Sequence, residues 1–259
     1  MSTLQIKKHV PSGTVIFQRP ERRNALSRRM LQDLIQAFSD FHGEKRVRAV
    51  ILTGAGAAFS SGLDLSEMND TASQPDALGQ WHQDVVVNQE LIETMLRFPK
   101  PIIAAVNGPA LGAGLGLVLA SDLVIAGRDA QFGAPEPRRG LVSGLVAPLL
   151  TFRIGGSWAA NLLLTGRAID AEAALRVGLC HEVVAGDLIW ARAHQQAEEI
   201  AGTAPESVQL TKRLLNETIG EQLSMLLTAG AASSATARTT EAASEGMKAF
   251  LEKRPPKWL

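Results

Sequence analysis

Residues 101–120 (PIIAAVNGPALGAGLGLVLA) carry no charge at all. A membrane-spanning helix needs about 20 apolar residues, so such a run must either cross a bilayer or be hidden inside a folded core. Asn107-Gly108-Pro109 decides the matter, because it breaks the run midway into pieces too short to span. The expectation is a buried strand over 102–106, a turn, and a buried helix reaching about Ala120. A second run, Ala49-Val50-Ile51-Leu52, is apolar at every position rather than at alternate ones. That is the pattern of a parallel strand covered on both faces. Strands of this kind alternating with helices imply an α/β core.

The rest of the chain is read around that core. Residues 4–8 and 14–18 form two short strands about the turn Pro11-Ser12-Gly13. Ser27 has the chemistry of a helix N-cap, and Leu31, Leu34, Ile35 and Phe38 recur on one face of a helix reaching about residue 42. A polar stretch, 69–80, reads as mobile. A helix is expected over 77–98 and a strand over 123–126. From about Gly155 the pattern becomes almost wholly helical, and the alanines of 229–243 suit a helix. The expected organisation is an α/β core over 1–200 and a C-terminal helical region over 201–259.

Charge narrows the function. Lys and Arg total 26, as do Asp and Glu, so no global field draws the chain to nucleic acid or to a membrane surface. A small molecule or a protein is the expected partner. The opening MSTLQIKKHV has no apolar run of signal-peptide length, which predicts a cytoplasmic protein. One cysteine, Cys180, excludes an internal disulfide, and the apolar Val177-Gly178-Leu179 before it predicts core packing. Without tyrosine there is no phenolic acid–base chemistry.

Two patches of bare backbone stand where strands are expected to end: Phe59-Ser60-Ser61-Gly62-Leu63-Asp64-Leu65 and Ala110-Leu111-Gly112-Ala113-Gly114-Leu115-Gly116-Leu117. The first N–H groups of a helix lack partners within it, and small residues let a ligand approach them. Two such termini facing each other could give two donors to one oxygen that becomes negative during reaction. From the glycines alone, close helix–strand packing is the preferred reading.

The surroundings of the patches add a resemblance. Residues 51–65, the stretch Lys100-Pro101-Ile102-Ile103-Ala104-Ala105-Val106-Asn107-Gly108-Pro109 leading into the second patch, Ala120-Ser121-Asp122, Gln131-Phe132-Gly133-Ala134-Pro135-Glu136 and Gly246-Met247-Lys248-Ala249-Phe250 resemble, in order, the signatures of the crotonase (enoyl-CoA hydratase/isomerase) superfamily. The resemblance implies a ββα superhelix core with a C-terminal helical appendage. It implies an acyl-CoA substrate, no prosthetic group beyond the coenzyme A of that thioester, no metal, and assembly as a homotrimer or hexamer. By position, the amides of Leu63 and Ala113 match the family's two oxyanion donors. Ala113 stands where many members have glycine. Glu136 matches one of two hydratase glutamates; the other falls at Gly116, which has no side chain. Members with one glutamate include isomerases and some hydratases and lyases. Arg22, Asn24, Ala25 and Lys253 match positions near the coenzyme. Asp64 and Asp122 read as structural, Asp64 as a helix cap. Arg138 and Arg139 read as solvated or paired, with a polar acyl group as the other use.

Two further classes remain open on the sequence. Gly54-Ala55-Gly56 follows a strand as in a dinucleotide-binding turn, although Phe59 replaces the third glycine. A catalytically silent acyl-CoA-binding member is the other.

Overall fold

The computed structural model of the chain describes residues 2–218 and 221–258. Its strands are β1 (Leu4–His9), β2 (Ser12–Phe17), β3 (Ala49–Gly54), β4 (Ile102–Val106), β5 (Ala110–Leu111), β6 (Leu123–Gly127), β7 (Gln131–Gly133), β8 (Ala168–Asp170) and β9 (Glu182–Val184). The helices are α1 (Arg28–Gly43), α2 (Leu65–Thr71), α3 (Ala77–Arg97), α4 (Ala113–Leu119), α5 (Val146–Thr165), α6 (Ala171–Arg176), α7 (Ile189–Ala201), α8 (Pro205–Arg213), α9 (Glu221–Ala237) and α10 (Glu241–Leu251). Strands β1-β2-β3-β4-β6-β9 form one sheet in that order, parallel except for the β1–β2 hairpin. Strands β5-β7-β8 form a second, smaller sheet.

The uniformly apolar strands are covered on both faces, as their composition requires. Val50, Leu52, Ile102, Ala104 and Val106 point into the main core shared with α1, α3 and α4. Their neighbours Ala49, Ile51, Ile103 and Ala105 point the other way, onto Ile189, Ala193 and Ala197 of α7. The charge-free run becomes β4, β5 and α4. Beyond residue 201, α9 adds Leu223, Leu227, Ala231 and Ala235 to the same main core. No helix among the described residues is long and apolar enough to cross a membrane.

Ser27 caps α1, its side chain accepting from the Met30 amide at 3.2 Å. Asp64 caps α2 through the Ser66 amide at 3.1 Å and pairs with Arg19 at 2.9 Å. Asp122 accepts from the Ile102 amide and from Lys212, both at 2.7 Å, so it fastens α8 to the sheet. Cys180 is buried, and burial pushes its thiol up to about 11. Two local expectations change. The hairpin turn is tighter than the sequence suggests: Ser12 and Gly13 already pair with His9 and Lys8 in β2. Ser12 is held there by Oγ contacts to the His9 carbonyl and to His194 Nδ1, at 3.2 and 2.8 Å. The polar stretch 69–80 is largely built into α2 and α3, with Asp76 capping α3. Arg28 anchors both helices by bonding Thr71 and Asp84.

Candidate active site

Three short segments run side by side at the ends of β3 and β4. Residue 60 bridges Ala110 and residue 63 bridges Leu26, both in parallel. In the second bridge the Leu26 amide donates to Gly62 O (2.8 Å), and the Asp64 amide donates to Leu26 O (3.0 Å). The Leu63 N–H belongs to the residue between them and points away from Leu26, by the alternation of an extended chain. Its source therefore differs from expectation: it lies on a bridge strand just before the Asp64 cap, not in a helix's first turn. Ala113 is the first residue of α4, where an N–H has no intrahelical acceptor. Neither amide donates to another group among the described residues.

Two glycines make the approach possible. Gly62 has φ +94°, a left-handed value that turns the chain between the two bridges. A Cβ on it would lie 2.9 Å from Leu111 O and 3.3 Å from the Ala113 amide nitrogen. Gly112 has φ +54°, and a Cβ there would stand 2.7 Å from Glu136 Oε1. Backbone and carboxyl thus touch at a point that no side chain can share.

Glu136 opens a 3-10 turn that ends at Gly140. Ser143 donates to its Oε2 at 2.8 Å. Burial pushes the carboxyl above its ordinary pKa, against the opposing pull of its own amide, Ser143 and Arg139. Arg139 lies over the Phe250 ring at 4.4 Å and is itself pushed down by burial. Gly62, Leu63, Gly112, Ala113, Glu136 and Ser143 all border one cavity of ≈ 610 Å³, counting its open mouth. At Gly116, deeper in α4, a Cβ would meet only Val146 and Ile92, at 3.7 and 3.8 Å.

The residues matched to the coenzyme do not all present side chains. Arg22 is exposed at the end of a 3-10 turn. Asn24 is wholly buried: its carboxamide donates to Ala55 O (2.9 Å) and Ala58 O (2.8 Å) and accepts from the Arg19 amide (2.9 Å). Its side chain builds the loop, and its backbone is engaged as well, the amide donating to Arg19 O and the carbonyl accepting from Ser60 Oγ, both at 2.9 Å. Ala25 is buried, with its carbonyl taken by Arg19. Lys253 is exposed beyond α10, and no hydrogen bond or ion pair joins it to the Arg22 loop among the described residues.

Asn107 explains Gly54-Ala55-Gly56. Its carboxamide accepts from the Gly54 amide (3.0 Å) and donates to Gly56 O (2.9 Å). No helix opens until Leu65, so the strand–turn–helix geometry of a dinucleotide fingerprint is absent from this turn. The cavity residues that went unread in the sequence include Asn88, Ser143 and Arg238. A signal existed for two of them. Asn88 interrupts the buried stripe Trp81, Val85, Leu91, Ile92 and Met95 of α3. Arg238 is the only charged residue between Glu221 and Glu241.

Residues 12–259 match the family profile described as Enoyl-CoA hydratase/isomerase. A putative enoyl-CoA hydratase of Thermus thermophilus is 39% identical over 98% of this chain and 100% of its own length. An enoyl-CoA hydratase/isomerase from Pseudoalteromonas atlantica superposes with a TM-score of 0.87 and 31% identity, covering 100% of both chains. A carnitinyl-CoA hydratase from Mycobacterium avium does so with a TM-score of 0.84 and 32% identity, covering 99% of this chain and 98% of its own. With a profile match and a relative that both run nearly end to end, the chain is an enzyme of the enoyl-CoA hydratase/isomerase family.

Proposed function

We propose that this enzyme binds an acyl-CoA thioester with its carbonyl oxygen between the Leu63 and Ala113 amides, and moves a proton on the acyl chain with Glu136. One observation carries the reading: two unpaired backbone amides and one desolvated carboxyl border the same cavity. Donors fixed in the backbone stabilise the enolate oxygen without reorganising as charge develops. A raised pKa makes the carboxylate a stronger base than an ordinary one, the direction that proton abstraction from the acyl chain requires. Hydration in two-glutamate members divides the work between two carboxylates. Here the second position is Gly116, so proton relocation is the favoured outcome and water addition the slower one.

The coenzyme part of the substrate lies, in this reading, along exposed Arg22 and the backbone of Asn24 and Ala25, with Lys253 near the nucleotide. The 201–259 region is an appendage that closes the acyl end of the site through Arg238. Assembly as a homotrimer or a pair of trimers completes the proposal.

The test is a series of enoyl-CoA thioesters incubated in heavy water and read by mass spectrometry. Isomerisation changes product mass only by exchanged deuterium, whereas hydration adds a molecule of water. Products of the first kind, with water adducts minor, are the expected result. No reaction across saturated concentrations of the series would overturn the proposal.

A further inference from the structure

Among apolar lining residues such as Met68, Val85, Leu141 and Val146, the cavity that holds Glu136 is also bordered by the polar side chains of Arg238 and Asn88. Arg238, just beyond the end of α9, is 3% exposed and borders the cavity that holds Glu136. Burial pushes its guanidinium down to about 10, still charged at neutral pH. Its partners are few: Nη1 donates to Trp81 O at 3.4 Å and lies 3.9 Å from Asp84 Oδ2. Asp84 is already committed to Arg28, which takes both of its oxygens at 2.6 and 2.9 Å. Nε and Nη2 of Arg238 have no partner among the described residues. A guanidinium carries five N–H donors, and the nitrogens of Arg238 that no protein group takes are not sealed in the core, which leaves them to a group that enters the cavity. One helical turn along α3 from Asp84, Asn88 also borders the cavity, 6% exposed. Its Oδ1 is buried without a hydrogen-bond partner. Arg139 borders the same cavity, with its guanidinium over the Phe250 ring.

Resting on the function proposed above, we infer that the acyl group of the natural substrate carries a second carboxylate, bound by Arg238. A carboxylate supplies the planar pair of acceptors that a guanidinium fork fits. The substrate is then the monothioester of a short unsaturated dicarboxylic acid. Asn88 lies along the same wall, where its Oδ1 can accept from a hydroxyl or a water on the chain between the thioester and the far carboxylate.

Crotonyl-CoA and glutaconyl-CoA differ only by that carboxylate and make the test. The wild type is expected to favour glutaconyl-CoA in kcat/KM by at least tenfold. In Arg238→Gln the ratio of the two kcat/KM values should fall by about tenfold or more, toward parity, and Arg238→Lys should recover part of it. A residue that merely ties α9 to α3 would lower the melting temperature and leave that ratio alone. If Arg238→Gln does not fold, calorimetry of the wild type with butyryl-CoA and glutaryl-CoA decides, with glutaryl-CoA expected to bind at least tenfold more tightly. Equal turnover or equal binding of the two members of a pair overturns this inference and leaves the proposed function standing. Selective binding of glutaryl-CoA with no turnover of either enoyl thioester supports the carboxylate site and overturns the proposed reaction. Failure to bind any of the four thioesters overturns both.

Discussion

A partly buried carboxyl beside Gly112 is a cost to the fold as well as the proposed proton carrier, and Glu136 allows the two to be separated. Its pKa is raised in the folded chain, so the folded state holds that proton more tightly than the unfolded one. Its contribution is therefore fully present below the ordinary carboxyl range and is lost as pH rises through the raised value. Glu136→Gln keeps the shape without the charge. It should stabilise the fold by about 0.5–2 kcal/mol at neutral pH and above, with the gain shrinking as pH falls into the carboxyl range. Thermal melts across pH check this. The same variant should lose roughly a hundredfold or more in turnover with little change in thioester affinity. Near-normal turnover would point to another acid. At Ala113, the first position of α4, proline is sterically at home but has no N–H. Ala113→Pro should melt close to the wild type and lose roughly a hundred- to a thousandfold in kcat; unchanged kcat would remove Ala113 as a donor. Gly116 offers the converse experiment. The room between Ile92 and Val146 admits a Cβ in ordinary contact, so Gly116→Glu should raise water addition relative to isomerisation. A product ratio unmoved in a folded variant would show that the missing carboxyl is not what limits hydration.

Among the elements, the join between α8 and the sheet is the most exposed to a single change. Lys212 is almost wholly buried, and its ammonium reaches Asp122 Oδ2 at 2.7 Å and the Met95 and Lys100 carbonyls at 3.2 and 3.1 Å. Removing one partner of such a pair strands the other charge away from water. Asp122→Ala should cost about 3–5 kcal/mol in urea unfolding, and a loss below about 1 kcal/mol would show that water relaxes into the gap. Which elements could be read from sequence follows the same physics. Continuous apolar runs declared β3 and β4, and Ser27 declared the start of α1, because each signal is local. The short α2 was hidden in a polar stretch. Its stability comes from tertiary partners, Arg28 on Thr71 and Trp81 on the Met68 carbonyl, which no local pattern reveals. Asn24 was matched to the coenzyme by resemblance alone, and no local pattern shows that its carboxamide is spent on Ala55, Ala58 and Arg19 inside the fold.

For the molecule as a whole, apolar side chains left uncovered indicate what a single chain lacks. Leu210, Leu214, Leu215, Met225 and Leu226 stand exposed around the α8–α9 region, where the proposed assembly would cover them. Light scattering behind gel filtration should give a trimer or a pair of trimers, and a monomer at micromolar concentration would overturn the assembly proposed here. Distance along the chain explains why the site was only partly legible. Leu63, Ala113 and Glu136 lie in ordered motifs, but Arg238 follows an Ala-rich helix a hundred residues beyond Glu136 and meets the cavity only after α9 has packed on α3. The paired bridges at Leu26–Leu63 and Ser60–Ala110 have a consequence for descent. They hold amides rather than side chains, and an amide is the one chemical group that almost every codon encodes alike. Substitutions at 63 and 113 other than proline leave the donors in place, so lineages sharing this frame can drift far in sequence and still inherit the same electrophile-holding point. What they would inherit separately, and could lose or change one letter at a time, are the carboxyl and the cation to which the proposals above give the reaction and the substrate.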